Sequence, residues 1–140
     1  MRQCQLSTVA ISLLLMSCAS GPTEQQSPRR LILDGTPFTV PYNELASWVC
    51  RDFEHGGDIL VELGSFFSPE VGMVGFVLYD GSSSGETAHY QREGLHHRWD
   101  WGPSGNDYAF VIKSDGSGLY YDFSRASTGK PSEIYKCTRR

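Results

Sequence analysis

Long apolar runs, basic charge and repeats are scarce or absent in this 140-residue chain. Its apolar stretch from Val9 to Met16 is much shorter than the ~20 residues that a membrane-spanning helix needs. Its 12 lysines and arginines are outnumbered by 16 aspartates and glutamates, which gives a formal net charge of −4. This balance argues against nucleic acid as the main partner and favours a basic one. No internal repeat and no sustained helical period is visible, which excludes repeat arrays and helical bundles.

Signatures of catalysis and metal binding are also missing. Ser82, Ser83 and Ser84 lie in a glycine-flanked turn without the Gly-x-Ser-x-Gly elbow of a nucleophilic serine. His96 and His97 are adjacent, so on a strand they point to opposite faces and cannot chelate one ion. The Cys-x-x-Cys spacing of zinc sites does not occur. We therefore expect no catalytic residue, no metal and no cofactor, and we expect binding in place of catalysis.

The N-terminus combines three features of an export signal. Met1-Arg2-Gln3 provides a basic start, Val9 to Met16 provides the apolar run, and Leu15-Met16-Ser17-Cys18 closes it with a small residue and a cysteine. This pattern resembles the lipobox of bacterial lipoproteins, in which the cysteine is acylated and the residues before it are removed. An ordinary secretory signal, cleaved after Ala19 or Ser20, is the alternative.

The lipobox resemblance divides the chain into three parts. Residues 1–17 are the signal peptide, residues 18–30 hold the lipidated Cys18 and a tether of flexible composition, and residues 31–140 form one domain. Ala19 follows the cysteine in place of Asp, which resembles the outer-membrane sorting pattern. We therefore expect anchoring to the outer membrane through the N-terminal lipid, on the periplasmic face.

The four cysteines have separate fates in this organisation. Cys4 leaves with the signal peptide and Cys18 carries the lipid, so Cys50 and Cys137 remain. Two thiols in an exported chain predict one disulfide, with free thiols or metal ligands as the alternative. Closing a loop of this length would stabilise the fold by roughly 4 kcal/mol on the chain-entropy model.

From Trp48 onward, short runs rich in β-branched and aromatic residues alternate with glycine-rich turns. Such runs, spaced by roughly 8–12 residues, are typical of a sandwich or a barrel. Eight short antiparallel strands can close on themselves and leave no exposed edge. We predict an all-β fold, a small antiparallel eight-stranded barrel with one disulfide, and a β-sandwich as the alternative. The predicted strands are Trp48–Phe53, Asp58–Leu63, Gly72–Tyr79, Thr87–Arg92, Leu95–Trp101, Asp107–Lys113, Leu119–Phe123 and Glu133–Thr138.

The residues before the first predicted strand show weaker signals. Leu31-Ile32-Leu33 is a short apolar run, and Asp34-Gly35 after it indicates a turn. Two prolines keep the next stretch extended. Asn43 is placed to cap a helical turn over Glu44 to Ala46.

The segment from Gly94 to Gly102 concentrates tryptophan, histidine and arginine. Tryptophan and arginine are enriched at the energetic centres of protein interfaces. On a strand, Trp99 and Trp101 share one face and His96 and Arg98 share the other. We therefore regard this segment as a candidate partner-binding surface, with a solvated strand face as the alternative.

The lipobox, the small all-β domain and the early and late cysteines together resemble the membrane-bound inhibitors of c-type lysozyme. The matching pieces are Trp48-Val49-Cys50, Ser84-Gly85 ahead of Tyr90, Trp99-Asp100-Trp101-Gly102 and Tyr135-Lys136-Cys137. The resemblance implies an eight-stranded barrel, a basic lysozyme as the protein partner, and Ser84 near the contact surface.

Two positions depart from that family. Trp101 stands where the family has the lysine of its Trp-x-Lys-Gly, and Tyr90 lies five residues after Gly85 where the family has three. Ser84 is therefore the contact residue that carries over, with His96, Arg98, Trp99 and Trp101 as further candidates. The alternative function is that of a structural or assembly lipoprotein that holds another component of the cell envelope.

Overall fold

The computed structural model describes residues 27–40, 45–51 and 57–140, which form ten β-strands in one sheet. No helix in this part of the chain is long and apolar enough to cross a bilayer. The strands are β1 (Arg29–Leu33), β2 (Thr36–Val40), β3 (Leu45–Arg51), β4 (Asp58–Ser68), β5 (Gly72–Tyr79), β6 (Ser84–Glu93), β7 (His96–Trp101), β8 (Tyr108–Ile112), β9 (Gly118–Asp122) and β10 (Glu133–Arg139).

Strands β3 to β10 form a closed up-and-down barrel. Each strand is antiparallel to the next one in the chain, and β10 returns to pair with β3. Strand β6 closes the circle by pairing with β5 through Gly85 to Ala88 and with β7 through His89 to Glu93. The predicted antiparallel eight-stranded barrel is confirmed.

The predicted disulfide is also confirmed. Cys50 on β3 lies directly opposite Cys137 on β10, and their sulfur atoms are bonded. Because β3 and β10 are the first and last strands of the barrel, the bond joins the two strands that complete its closure.

The first barrel strand begins earlier than predicted. Leu45 and Ala46 lie in β3 and are paired with Gly64 and Leu63 of β4. The helical turn predicted over Glu44 to Ala46 is therefore wrong at these two residues, because pairing with β4 overrides the local helical preference. Asn43 and Glu44 lie outside the described residues.

A hairpin of β1 and β2 precedes the barrel and was not predicted as strands. Asp34 and Gly35 connect its strands with φ values of 48° and 79°, the positive pair that a two-residue type I′ turn requires. Ile32 and Leu33 pair in parallel with Ser84 and Gly85, on the edge of β6 that β7 does not reach. The first described strand thus begins at Arg29.

Large aromatic side chains fill the inside of the barrel, as expected for a barrel of eight strands. Glycines stand where the rings need room: a Cβ atom on Gly118 would lie 2.7 Å from Trp48 Cζ3, and one on Gly75 would lie 2.9 Å from Trp99 Cδ1. The largest buried members of this inner core are Trp48, Trp99, Trp101, Phe110, Tyr120 and Tyr135.

A second apolar cluster covers the outer wall of the barrel. Side chains alternate along a strand, so β5 sends Val77 inward and Phe76 and Leu78 outward. The hairpin packs over these outward residues. The buried members of this outer cluster are Leu31, Leu33, Val40, Phe66, Phe76 and Leu78.

Candidate binding site

The two ends of the barrel differ, and each carries candidate functional residues. One end, called here the Ser84 end, holds the β5–β6 turn, the β7–β8 turn and the β9–β10 loop. The other, called the cavity end, holds the β4–β5, β6–β7 and β8–β9 turns and the end of β10. Antiparallel neighbours alternate in direction, so successive turns fall at opposite ends.

A cavity of about 390 Å³ opens at the cavity end. Trp48 and Trp99, which are 2% and 5% exposed, are buried parts of its wall. Tyr90, His97 and Ile112 lie nearer the mouth, on the inner faces of β6, β7 and β8. The inside of the barrel is thus accessible from this end.

Three aromatic rings form one connected wall of the cavity. The Tyr90 hydroxyl and His97 Nδ1 share a hydrogen bond of 2.7 Å. The His97 ring stacks on Trp99 with an interplanar angle of 14°, and Trp99 Nε1 donates to the Gly64 carbonyl at 2.9 Å. Partial burial, with Arg92 and His96 nearby, lowers the pKa of His97, so the neutral imidazole is favoured at neutral pH.

Trp48 differs from the other two tryptophans in the state of its indole N–H. Its Nε1 is buried and has no hydrogen-bond partner within the described ranges. Nε1 of Trp99 and of Trp101 each have an acceptor at 2.9 Å. Buried donors without partners are rare in proteins, so this atom stands out in the cavity wall.

The charges that line the cavity are of one sign. Lys113 at the end of β8 and Arg139 at the end of β10 both line it, and the residues known to line it include no aspartate or glutamate. Neither cation forms an ion pair with a described carboxylate within 4.0 Å. The cavity therefore combines aromatic walls with a cationic mouth.

Ser84, at the opposite end, is exposed at the start of β6. Its backbone N–H donates to Ser82 Oγ at 3.0 Å. The Arg29 guanidinium donates to the carbonyls of Gly81 and Ser82, and it also pairs with Glu62 at 2.7 Å. These contacts hold the β5–β6 turn against β1.

Carboxylates gather around the Ser84 end. Partial burial, together with the charges of Asp34 and Asp107, raises the pKa of Glu86. Asp34 Oδ2 accepts a hydrogen bond from the Thr87 N–H at 3.0 Å, and Asp107 Oδ2 accepts one from the Ser104 N–H. The neighbouring carboxylates disfavour ionisation of Glu86 because like charges repel.

The candidate residues named from the sequence do not meet at one surface. His96 is exposed at the cavity end, whereas Ser84 lies at the other. Arg98 is held by three hydrogen bonds from its guanidinium to Asp100 on the outer face of β7.

The two tryptophans among these candidates lie inside the barrel. Trp99 lines the cavity. Trp101 is 1% exposed and donates to the Tyr79 hydroxyl, so it has no surface to offer a partner in this conformation. Cys18 lies outside the described residues.

Sequence reasoning missed most of the cavity residues. Tyr90, His97 and Ile112 face inward near the cavity end of their strands, and alternation alone would have placed His97 on the face of Trp99. Nothing in the sequence indicated that Lys113 and Arg139 reach the same mouth, because that depends on register around the closed barrel.

A comparison of the chain with protein families, with curated proteins and with solved structures finds no match. Within the described residues, no group of three or more histidines, cysteines, aspartates and glutamates is placed to hold a metal ion.

Proposed function

We propose that this chain is a lipid-anchored protein of the bacterial cell envelope that works by binding, and that it inhibits a basic lysozyme through the Ser84 end of its barrel. The observation that carries this proposal is an exposed serine on a turn that is held in place beside several carboxylates. The closed barrel and the Cys50–Cys137 bond agree with the family resemblance found in the sequence.

The β5–β6 turn suits a binding role because it is already ordered. Arg29 fastens the Gly81 and Ser82 carbonyls, and Asp80 takes the left-handed conformation with φ of 51°. A partner that docks here does not have to freeze a mobile loop, which removes one of the entropic costs of association.

Charge at this end favours a basic partner. Asp34, Glu86 and Asp107 are close enough together that the first and last raise the pKa of the second. Their potential would draw in a cationic protein and increase the rate of association. Trp101, which stands where the resembling family has a lysine, is buried, so the proposal depends on Ser84 and the carboxylates near it.

The test is lysozyme turnover of cell-wall substrate while the purified protein is titrated in. We expect stoichiometric inhibition, and we expect Ser84→Ala to raise the half-inhibitory concentration about tenfold, which corresponds to ~1.4 kcal/mol. Ser114→Ala is the matched control, because Ser114 is exposed at the cavity end. Turnover unchanged at a large molar excess of protein would overturn lysozyme inhibition and leave an assembly role as the binding function to test.

The anchor has an independent test. A Cys18→Ala variant expressed in bacteria should leave the membrane fraction, because one cysteine carries the proposed lipid. The unmodified chain, followed on the same sucrose gradient, is the reference. A variant that still sediments with outer membranes would show that Cys18 lipidation does not hold the protein there.

A further inference from the structure

We infer that the cavity at the end opposite Ser84 binds a small organic anion, a carboxylate on an apolar body. This site is independent of the proposed lysozyme contact, because the two lie at opposite ends of the barrel. Two observations support the inference: the size and lining of the cavity and the sign of the charge at its mouth.

The cavity has the size and lining of a small-molecule site. Its volume of about 390 Å³ falls within the roughly 300–1,000 Å³ typical of such sites, which are mostly apolar with a few polar groups. Trp48 and Trp99 provide flat aromatic surface inside, and Ile112 adds an aliphatic side chain. Leu95 also lines the cavity and is 67% exposed, so an apolar side chain stands in solvent at the mouth.

Trp48 has a buried polar atom, Nε1, that forms no hydrogen bond within the described part of the protein. Its ring packs with Cζ3 and Cε3 toward Gly118 of β9. Nε1 is on the opposite edge of an indole, so the N–H is directed away from Gly118. This N–H has less than 1 Å² of accessible surface, so it does not contact a bound molecule directly, but it lies in the wall of the cavity and its NMR resonance reports on an occupant.

The charge at the mouth selects an anion. Lys113 and Arg139 both line the cavity without a lining carboxylate to neutralise them. Asp115 lies near Lys113, and its own pKa is lowered mainly by hydrogen bonds from Ser117. Arginine and lysine form their strongest hydrogen bonds with ionised acceptors. An apolar body among the tryptophans with a carboxylate at the mouth satisfies both parts of the cavity.

The binding test compares a charged probe with a neutral one of the same shape. We would titrate 1-naphthoate and 1-naphthamide into the purified full-length protein by calorimetry. We expect naphthoate to bind at least tenfold more tightly, because only it can pair with the cations. Octanoate and octanol repeat the comparison with a flexible chain. A preference for either acid over its neutral counterpart supports the site, and their ranking tells whether the natural ligand is planar or aliphatic.

Variants and spectroscopy then locate the bound probe. Lys113→Gln and Arg139→Gln should each reduce the preference for naphthoate, whereas Lys130→Gln in the β9–β10 loop should not. Leu95→Glu should abolish binding without changing the melting temperature, because Leu95 is mostly exposed. The indole N–H resonance of Trp48 should shift on binding and exchange more slowly with solvent.

Three results would overturn the inference. They are the absence of binding by both acids at millimolar concentration, equal affinities for acid and neutral probes, and binding that leaves the Trp48 resonance and the Leu95→Glu variant unaffected. Lysozyme inhibition by Leu95→Glu should match that of the unmodified protein, so failure of one proposal can be distinguished from failure of the other.

Discussion

The inner core and the outer cluster are both buried, yet they are built from different side chains. Inside the barrel, aromatic rings carry polar ends that pair with each other, as when Trp101 Nε1 donates to the Tyr79 hydroxyl at 2.9 Å. The outer cluster consists of leucine, valine and phenylalanine. A closed interior is filled by a few large rings, whose buried polar atoms need partners; Nε1 of Trp99 and of Trp101 have them, whereas Trp48 Nε1 has none among the described residues. An open outer wall needs only an apolar cover.

The two clusters also stabilise different parts of the structure. Inner residues come from all eight barrel strands, whereas the outer cluster joins the hairpin to β4 and β5. The parallel ladder between β1 and β6 contains only two residue pairs. The hairpin should therefore open as a separate unit of low stability, while the barrel unfolds as a whole.

The largest effect is expected inside the barrel. Trp101→Ala removes a fully buried ring and leaves the Tyr79 hydroxyl without its donor. We expect the free energy of unfolding to fall by about 3–5 kcal/mol, as measured by urea titration followed by far-UV circular dichroism. A loss below about 1 kcal/mol, within the range of an ordinary surface change, would mean that the inner core is less tightly packed than described.

The next effect concerns the outer cluster. Leu31→Ala should weaken the hairpin by about 2–3 kcal/mol, at the low end for a buried leucine because a hairpin can settle onto the wall. Amide exchange should accelerate at Ile32 and Asp34, which donate to Ser83 and Gly85 of the β5–β6 region.

The barrel itself is the control for that variant. Amides of β8 and β9 should keep their protection in Leu31→Ala, and Trp101→Ala should lower protection in both regions. If Leu31→Ala speeds exchange throughout the barrel, the two clusters unfold together and the division between them fails.

A smaller effect follows from His97, at the cavity end of the inner core. Its pKa is lowered from 6.5 by partial burial and by nearby Arg92 and His96, so the unfolded chain takes up a proton that the folded chain resists. Stability should therefore decline as pH falls below 6.5 and should stop declining below the folded pKa. His97→Gln should remove this part of the slope in melting temperature between pH 7 and pH 5.

His89→Gln is the matched comparison, because His89 is exposed on the same sheet and bonds only with Gln91 among the described contacts. It should leave the slope unchanged. An equal change in both variants would mean that general surface charge, and not the inner core, sets the pH dependence.

The smallest effect concerns Glu86, at the Ser84 end of the same interior. Its pKa is raised by partial burial and by Asp34 and Asp107, so the folded chain keeps the proton at pH values where the unfolded chain has lost it. Stability is lost as pH rises from 4.5 through the raised pKa. Glu86→Gln should raise the melting temperature by a few degrees at pH 7 and by less at pH 4.

Glu93→Gln, an exposed glutamate at the cavity end of the same strand, should produce no comparable rise. A Glu86→Gln variant that melts at the same temperature as the unmodified protein at pH 7 would show that repulsion among these carboxylates does not destabilise the fold.

The barrel was predictable because its signals are local. Alternation placed Trp99 and Trp101 on one strand face, glycine-rich turns marked the strand ends, and two remaining cysteines left one intramolecular pairing. Alternation does not say which face is buried, however, so the sequence marks both tryptophans as candidate contacts, whereas Trp101 is buried in the core.

The hairpin and the cavity were missed because they depend on distant residues. Phe76, Val77 and Leu78 are all buried, and such a run shows that both faces of a strand are covered but not what covers the outer one. The cavity forms only if the ends of β6, β7, β8 and β10 lie at the same height along the barrel axis. That height is set by the stagger of the closed sheet, which short-range patterns do not encode.

The hydrogen bonds of Arg29 also determine which end of the barrel lies nearer the N-terminal segment. Its guanidinium holds the Gly81 and Ser82 carbonyls, so the chain enters the domain at the Ser84 end. If Cys18 is anchored as proposed, the eleven peptide steps from Cys18 to Arg29 allow a reach of at most about 40 Å. A protein captured at the Ser84 end would then be held close to the membrane surface, while the cavity opens toward the opposite side and receives molecules arriving from the compartment beyond.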